Sequence, residues 1–304
     1  MAREFMRFPR GAALACAFLL LPATWEHAGA ADRALKAAPG DKSQYTLFNP
    51  TPSALLRDMT TDRPDTTESP FTVDAGHIQI ETNLFGYTRT RPEADGTFER
   101  AYEFATTNIR IGLTNATEIN FIFQPHGVVR AYPGGVGPSV RSSGVGGVDI
   151  RVKLNIWGND TFENPGDSAF ALLPFITLPT DKNNGISPDG VEAGLILPYA
   201  LKLTERLGLG VNGGFHVIRN GNGGHHTEYL ASASFAYEWS ERLGTYYEVA
   251  ARFNTQDPRG EPVILATGFT YKLNDNLQFD AGINFGVTRA ADRFNPFIGV
   301  SARF

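Results

Sequence analysis

Cysteine is nearly absent: the 304 residues contain one, Cys16, inside an apolar stretch near the N-terminus. That stretch reads as the core of a secretory signal over residues 1–30. Arg3, Arg7 and Arg10 make a basic start, Gly11 to Leu21 the apolar core, and Ala28-Gly29-Ala30 a small-residue cleavage site. The core is well short of the roughly 20 residues that a spanning helix needs. Leu19, Leu20 and Leu21 come after Cys16, whereas a lipoprotein cysteine would follow the core, so no lipidation is expected. The mature chain is then free of cysteine, which excludes disulfides, thiolate chemistry and cysteine-ligated metal. Hydropathy is slightly negative overall, which excludes a helical membrane protein. It does not exclude a β-barrel, where lipid-facing and lumen-facing residues alternate and average out. An excess of positive charge is also missing. Residues 1–30 hold three of the 27 basic and two of the 32 acidic residues, leaving 24 against 30, or −6, and no reason to expect a nucleic-acid partner.

What is present is alternation. In Phe294-Asn-Pro-Phe-Ile-Gly-Val-Ser-Ala-Arg-Phe304, Pro296, Ile298, Val300, Ala302 and Phe304 fall on one face. Asn295, Gly299, Ser301 and Arg303 fall on the other, with Phe297 the one apolar member there. A strand ending on a bare Phe suits an outer-membrane barrel, whose last strand must pair with its first and whose assembly machinery reads a terminal Phe such as Phe304. Similar runs recur near 77–88, 101–113, 118–126, 145–156, 168–178, 191–203, 207–218, 227–239, 243–253, 262–273, 277–288 and 294–304. Tight polar turns at 114–117, 204–206, 240–242 and 274–276 alternate with longer links at 89–100, 127–144, 179–190, 219–226, 254–261 and 289–293. The longer turn 157–167 is the one exception. Outer-membrane barrels have this order of short periplasmic turns and longer external loops. Eleven residues at about 3.3 Å each, tilted about 40°, rise roughly 28 Å, enough for an apolar band of about 25 Å. Trp239, Tyr271 and Phe304 would form the periplasmic aromatic girdle, and Tyr229, Phe253 and Phe294 the external one. The expected fold is all-β: a transmembrane antiparallel up-and-down barrel of about twelve strands over residues 75–304, in the outer membrane of a Gram-negative bacterium. A secreted β-sandwich explains neither the turn order nor the girdles.

Residues 31–74 read as an irregular leader, periplasmic or inserted in the lumen. Asn49-Pro-Thr-Pro52 is extended or turned, and Ser53 could cap a short helical stretch from Ala54 to Met59. Then comes Thr61-Asp-Arg-Pro-Asp-Thr-Thr-Glu-Ser-Pro70, densely charged and framed by prolines. This decapeptide, with Phe71-Thr-Val-Asp-Ala-Gly-His77, Phe175-Ile-Thr-Leu-Pro-Thr180 and Glu192-Ala-Gly-Leu-Ile-Leu-Pro198, resembles a family of bacterial outer-membrane proteins labelled transporters or "phenol-degradation MetA-pathway" proteins. The resemblance runs from about Asn49 to Phe304. It implies the barrel fold and passage of small solutes, including hydrophobic or aromatic ones.

The inward phase carries the chemistry. Candidate pore-lining residues are Glu81, Arg110, Asp149, Arg151, Lys153, Glu192, Lys202, Glu248, Arg252, Asp280 and Arg303, with Glu118, Glu228, Glu238 and Lys272 in the same phase. Seven cations against eight anions form no ring of one sign, so strong ion selectivity is not expected. The alternative is a packed barrel filled by cross-strand ion pairs, with a binding or structural role. Strand 168–178 is apolar on both faces, so one row must face the lumen or be covered by the leader. The signature charges Asp62, Arg63, Asp65 and Glu68 would narrow the lumen if the leader tucks in. Arg63 would pair with Glu81 or Glu248, and the acids with Arg110 or Arg151. An outer-membrane lipase needs His and Ser on the lipid-facing rim; His216 is inward, and neither an outward His-x-Ser pair nor a Gly-x-Ser-x-Gly elbow occurs. His225-His226-x-Glu228 could hold a metal but reads better as a solvated loop. No cofactor or catalytic residue is expected; the partners are membrane lipid, the barrel assembly machinery and a small-molecule solute.

Overall fold

Polar residues are buried and large apolar ones exposed along most strands of the computed structural model, which describes residues 41–135, 137–181, 184–220, 223–254 and 261–304. In one C-terminal strand Gln278, Asp280 and Asn284 are buried while Phe279 and Phe285 are 43% and 47% exposed. A water-soluble sheet has the opposite arrangement; this one fits a barrel with lipid outside and a polar lumen. The signal reading of residues 1–30 and Cys16 lie outside the described residues.

Among the described residues there are fourteen strands: β1 Ile78–Arg89, β2 Phe98–Thr114, β3 Thr117–Phe123, β4 His126–Tyr132, β5 Val140–Gly144, β6 Val148–Trp157, β7 Ser168–Leu178, β8 Glu192–Lys202, β9 Leu207–Arg219, β10 His225–Glu238, β11 Leu243–Phe253, β12 Val263–Asn274, β13 Leu277–Gly286 and β14 Phe294–Arg303. All pairings are antiparallel, and β1 pairs with both β2 and β14, which closes the ring. Phe304 joins this seam by exchanging backbone hydrogen bonds with Ile78, at 2.8 and 3.2 Å. Fourteen segments make twelve staves. β3 and β4 pair with successive halves of the seventeen-residue β2, and β5 and β6 continue one another in the same way.

This corrects the reading of 127–144 as one external loop. Its alternation is real, but Gln124-Pro125 interrupts the stave, since proline offers no N–H to the ladder. Opposite, residues 145 and 146 leave the ladder too. In β2, Ala105 takes a left-handed φ of 54° between the two paired halves, a bulge that lets Glu103 and Thr106 both face the lumen. The alternation of short and long connections otherwise holds, 158–167 being the long periplasmic exception. Trp239, Tyr271 and Phe304 are exposed at the periplasmic end, Tyr229 and Phe253 at the external end. In β7 the row Ala169, Ala171, Leu173 faces inwards and is fully buried.

Residues 41–59 brace the periplasmic base. Thr46 bridges to Thr114, and Leu47 N–H donates to Leu113 O at 2.9 Å. Lys42 and Arg57 both contact Asp74 and Asp160, at 2.9–3.5 Å, and the Arg303 guanidinium donates to Arg57 O at 2.7 Å. The backbone approaches so closely here that a Cβ on Gly112 would lie 2.1 Å from Asp74 O. On the external side, residues 184–190 fold inwards and bury Ile186 and Ser187.

Candidate functional site: the lumen and its N-terminal segment

Residues 60–73 run through the lumen, and wall side chains bond many of the groups of their irregular backbone. Pro64 and Pro70 have no N–H to satisfy. Asp62 N–H donates to the Glu81 carboxylate at 3.1 Å, Thr66 N–H to Glu248 at 3.0 Å, and Val73 N–H to Glu118 at 2.6 Å. The hydroxyls of Thr66 and Thr67 donate to the same Glu248, at 2.8 and 2.6 Å. Asn212 grips Glu68 on both sides, accepting from its N–H at 2.7 Å and donating to its carbonyl at 3.0 Å. Thr60, Pro70 and Phe71 carbonyls accept from Gln79, Asn155 and Arg110, at 2.7, 2.9 and 2.8 Å. Buried backbone groups tolerate an extended path only with such partners, and bonds to charged groups are the stronger ones.

The segment's charges meet wall charges. Asp62 lies 2.7 Å from Lys153 Nζ and 3.3 Å from Arg110 Nη1. Arg110 also contacts Glu81 at 2.8 Å and Glu118 at 3.0 Å. Burial pushes the Asp62 carboxyl up, but Arg110 and Lys153 more than offset it and hold it well below the usual carboxylate range. Glu68 meets Arg151 at 2.5 Å, which also holds Asp149 at 2.8 Å. Arg63 pairs with Asp280 at 2.7 Å, not with Glu81 or Glu248. Those two glutamates are occupied as acceptors for segment N–H groups, a role that charge-pairing logic does not anticipate. Two carboxyls of the segment are raised: burial and then the facing Glu248 push Asp65 up to about 8, and burial and then Asp62 push Glu68 to about 7 in spite of Arg151.

Arg110 and Lys153 are thus buried beneath the segment, and Lys202 and Arg303 sit at the periplasmic base, where Lys202 approaches Glu205 at 3.7 Å. Glu248 and Asp280 hold the segment. Glu81, Asp149, Arg151, Glu192 and Arg252 border a cavity of about 320 Å³ between the segment and the external connections. Ile122, Phe175, Ile196, Leu230, Ile264 and Phe297 supply its apolar wall. Seven carboxylates and three guanidinium groups line it; Asp62, Asp65, Glu68 and Arg63 of these come from the segment, and the strands supply Glu81, Glu103, Asp149 and Glu192 against Arg151 and Arg252. His216 lies 3.3 Å from Glu192 and edge-on to Phe175 at 5.1 Å. His226 is engaged by Asn220 and, at 3.4 Å, by Glu228.

Residues 61–304 match the family described as MetA-pathway of phenol degradation. The chain belongs to that family. No curated protein matches the sequence. An outer membrane channel from Pseudomonas putida F1 superposes with a TM-score of 0.59 at 10% identity, over 81% of this chain and 100% of the other. The transport unit of the autotransporter AIDA-I from Escherichia coli gives 0.46 at 10% identity, over 81% and 93%. The NanC porin gives 0.44 at 11% identity, over 74% and 98%.

In this MetA-pathway family member the sequence reading passes over several residues that seat the segment. Gln79, Asn155 and Asn212 look like ordinary inward polar residues, and only the structure shows their amides reading a backbone. Gly299 is the clearest omission. A Cβ there would lie 2.2 Å from Arg63 Nη2, so its missing side chain makes the space through which Arg63 reaches Asp280. Phe297, the apolar intruder on a polar face, is buried with the Arg63 guanidinium 5.6 Å from its ring centroid. Replacing Gly299 with Val is expected to unseat Arg63 and raise single-channel conductance while leaving the heat-modifiable gel shift intact. Unchanged conductance would show that Arg63 does not hold the segment.

Proposed function

We propose that the protein is an outer-membrane channel for passive diffusion of small solutes, narrowed by its own N-terminal segment. The observation that carries this reading is the cavity above the segment. Its volume of about 320 Å³ lies at the lower end of small-molecule sites, and it combines an apolar wall with a few placed charges. An aromatic ring with one polar substituent fits that description, and the family's phenol-degradation label points to the same class. Steps of conductance in a planar bilayer, and swelling of liposomes in a panel of phenols and aromatic acids, test it; silence in both overturns it. The second reading, a non-conducting barrel, draws on the dense hydrogen bonding of residues 60–73, and silence is its expected result. We read the function as transport, not catalysis.

The charge around the cavity sets a further expectation. With seven carboxylates against three guanidinium groups, the path should favour cations. Asp65 makes that preference depend on pH. Seated, its carboxyl has a raised value of about 8; released into water it returns towards 3.8. Between those values the seated form holds a proton that the released form gives up, so seating is tightest at low pH and weakens as pH rises towards 8. Conductance should rise between about pH 4 and 8, and reversal potentials in a salt gradient should shift further towards cations as pH rises through about 8. Glu68, raised to about 7, titrates in the same range, so Asp65→Asn should remove part of both changes and Asp65→Asn/Glu68→Gln most of them. A pH-independent wild type overturns this role for Asp65.

A further inference from the structure

On the outer surface, four arginines stand in one cross-strand row. Arg89 of β1 is in register with Arg100 of β2, Arg100 with Arg130 of β4, and Arg130 with Arg141 of β5. Three strand intervals of about 4.8 Å give the row a length of roughly 14 Å. It points outwards, because Arg89 shares its phase with Phe85 and Tyr87, and Arg100 with Tyr102 and Phe104, and these aromatics meet across the strands. Glu99 and Glu103 of β2 take the opposite phase, and Glu103 borders the lumen cavity.

Like charges set directly opposite on a sheet destabilise it. Arginine cannot relieve this by losing its proton. Among the described residues, no carboxylate lies within ion-pair distance of any of the four. Rings hold two of them in place. The Phe98 ring has Arg89 at 5.0 Å and Arg100 at 5.6 Å, Tyr132 has Arg100 at 4.9 Å, and the two rings stack at 4.7 Å. The Nε atoms of Arg89 and Arg100 are buried without a hydrogen-bond partner, while Arg130 and Arg141 are exposed. Among the described residues the row is therefore a set of charged forks with no counter-charge within ion-pair distance, two of them held by rings.

Its height on the barrel tells what faces it. The row lies level with Phe294, which pairs with Arg89, and two residues, about 7 Å, beyond the Tyr87–Tyr102 pair towards the external side. Interfacial aromatics mark the head-group level of a membrane. Phosphate is the group that guanidinium forks match bidentately. In the outer leaflet of an outer membrane, the phosphates at that level belong to a disaccharide glycolipid. We propose that Arg89, Arg100, Arg130 and Arg141 form a binding site for the phosphorylated head group of this glycolipid, lipid A, on the lipid-facing rim of the barrel. The site rests on the outer-membrane placement and is independent of whether the lumen conducts.

Native mass spectrometry of the purified full-length barrel with added diphosphorylated lipid A tests this. The wild type is expected to retain the lipid, and the Arg89→Gln/Arg100→Gln/Arg130→Gln/Arg141→Gln variant to bind it at least about tenfold more weakly, given roughly 1.4 kcal/mol per factor of ten and charge-assisted bonds of that size. Lipid A stripped of both phosphates should bind wild type and variant alike, and weakly. Equal retention by the variant, or equal binding of the stripped lipid by the wild type, overturns the site. If the fourfold variant loses its heat-modifiable shift, Arg130→Gln/Arg141→Gln, confined to the two exposed positions, is expected to weaken diphosphorylated lipid A severalfold; no change there overturns the site equally.

Discussion

Deleting residues 31–69 while keeping the signal is expected to raise single-channel conductance several-fold without abolishing the barrel. Of these, residues 60–69 lie across the lumen and draw on the wall through Glu81, Glu248, Asn212, Arg110, Lys153, Arg151 and Asp280. Removing it opens the space of one extended chain in a ring of twelve staves, intermediate between filled eight-stranded barrels and open sixteen-stranded porins. The wall charges left behind are not stranded, because water enters with the space and resolvates them. Stability of the barrel itself comes from the closed backbone ladder, including the β1–β14 seam; the deletion leaves that ladder in place and removes the brace of residues 41–59 at its base. The deleted protein should therefore still show the heat-modifiable gel shift. Conductance equal to that of the intact protein would mean that the segment does not constrict the path. Ready cleavage at Arg63 by a protease added from the periplasmic side of the intact barrel would mean the same.

How much of this was legible in the sequence varies with the kind of interaction. The staves were, because a period of two is imposed by strand geometry and lipid enforces it: Leu277 to Gly286 reads outward-apolar and inward-polar without exception. The 127–144 stretch was not, because the interruptions at Gln124-Pro125 and at 145–146 hide strands that pair along the outer half of the long β2 stave. For the lumen, the inward phase named Asp280 and Glu248, and the proline-framed charges named Asp62, Arg63, Asp65 and Glu68. Which would meet which was not legible. Pairing depends on register across strands far apart in sequence, so Arg63 finds Asp280, 217 positions away, through space left at Gly299. Nor does a charge pattern show that Glu81 and Glu248 serve backbone N–H groups. That role follows from a segment with no secondary structure of its own, whose donors must be satisfied by the wall.

Arg110 is where the largest loss of stability is expected. Its side chain is fully buried and touches three carboxylates, Glu81 at 2.8 Å, Glu118 at 3.0 Å and Asp62 at 3.3 Å. It also donates to the carbonyls of Thr60 at 3.2 Å and Phe71 at 2.8 Å. Arg110→Met keeps much of the volume and removes the charge, leaving Lys153 as the one remaining cation against Asp62 and Glu118. Breaking a buried pair on one side costs about 3–5 kcal/mol, since the partner's charge stays buried without compensation. The barrel has one cheaper response than unfolding: it can release residues 60–73 and let water reach Glu81 and Glu118. The expected result is a lower unfolding temperature together with a raised, fluctuating conductance. Adding Glu118→Gln removes one of the stranded charges and should recover part of both effects, although each change alone deletes an observed contact. A double variant less stable than Arg110→Met alone would show that Glu118 contributes through its bond to Val73 N–H, at 2.6 Å, more than through its charge, and the network reading would then fail.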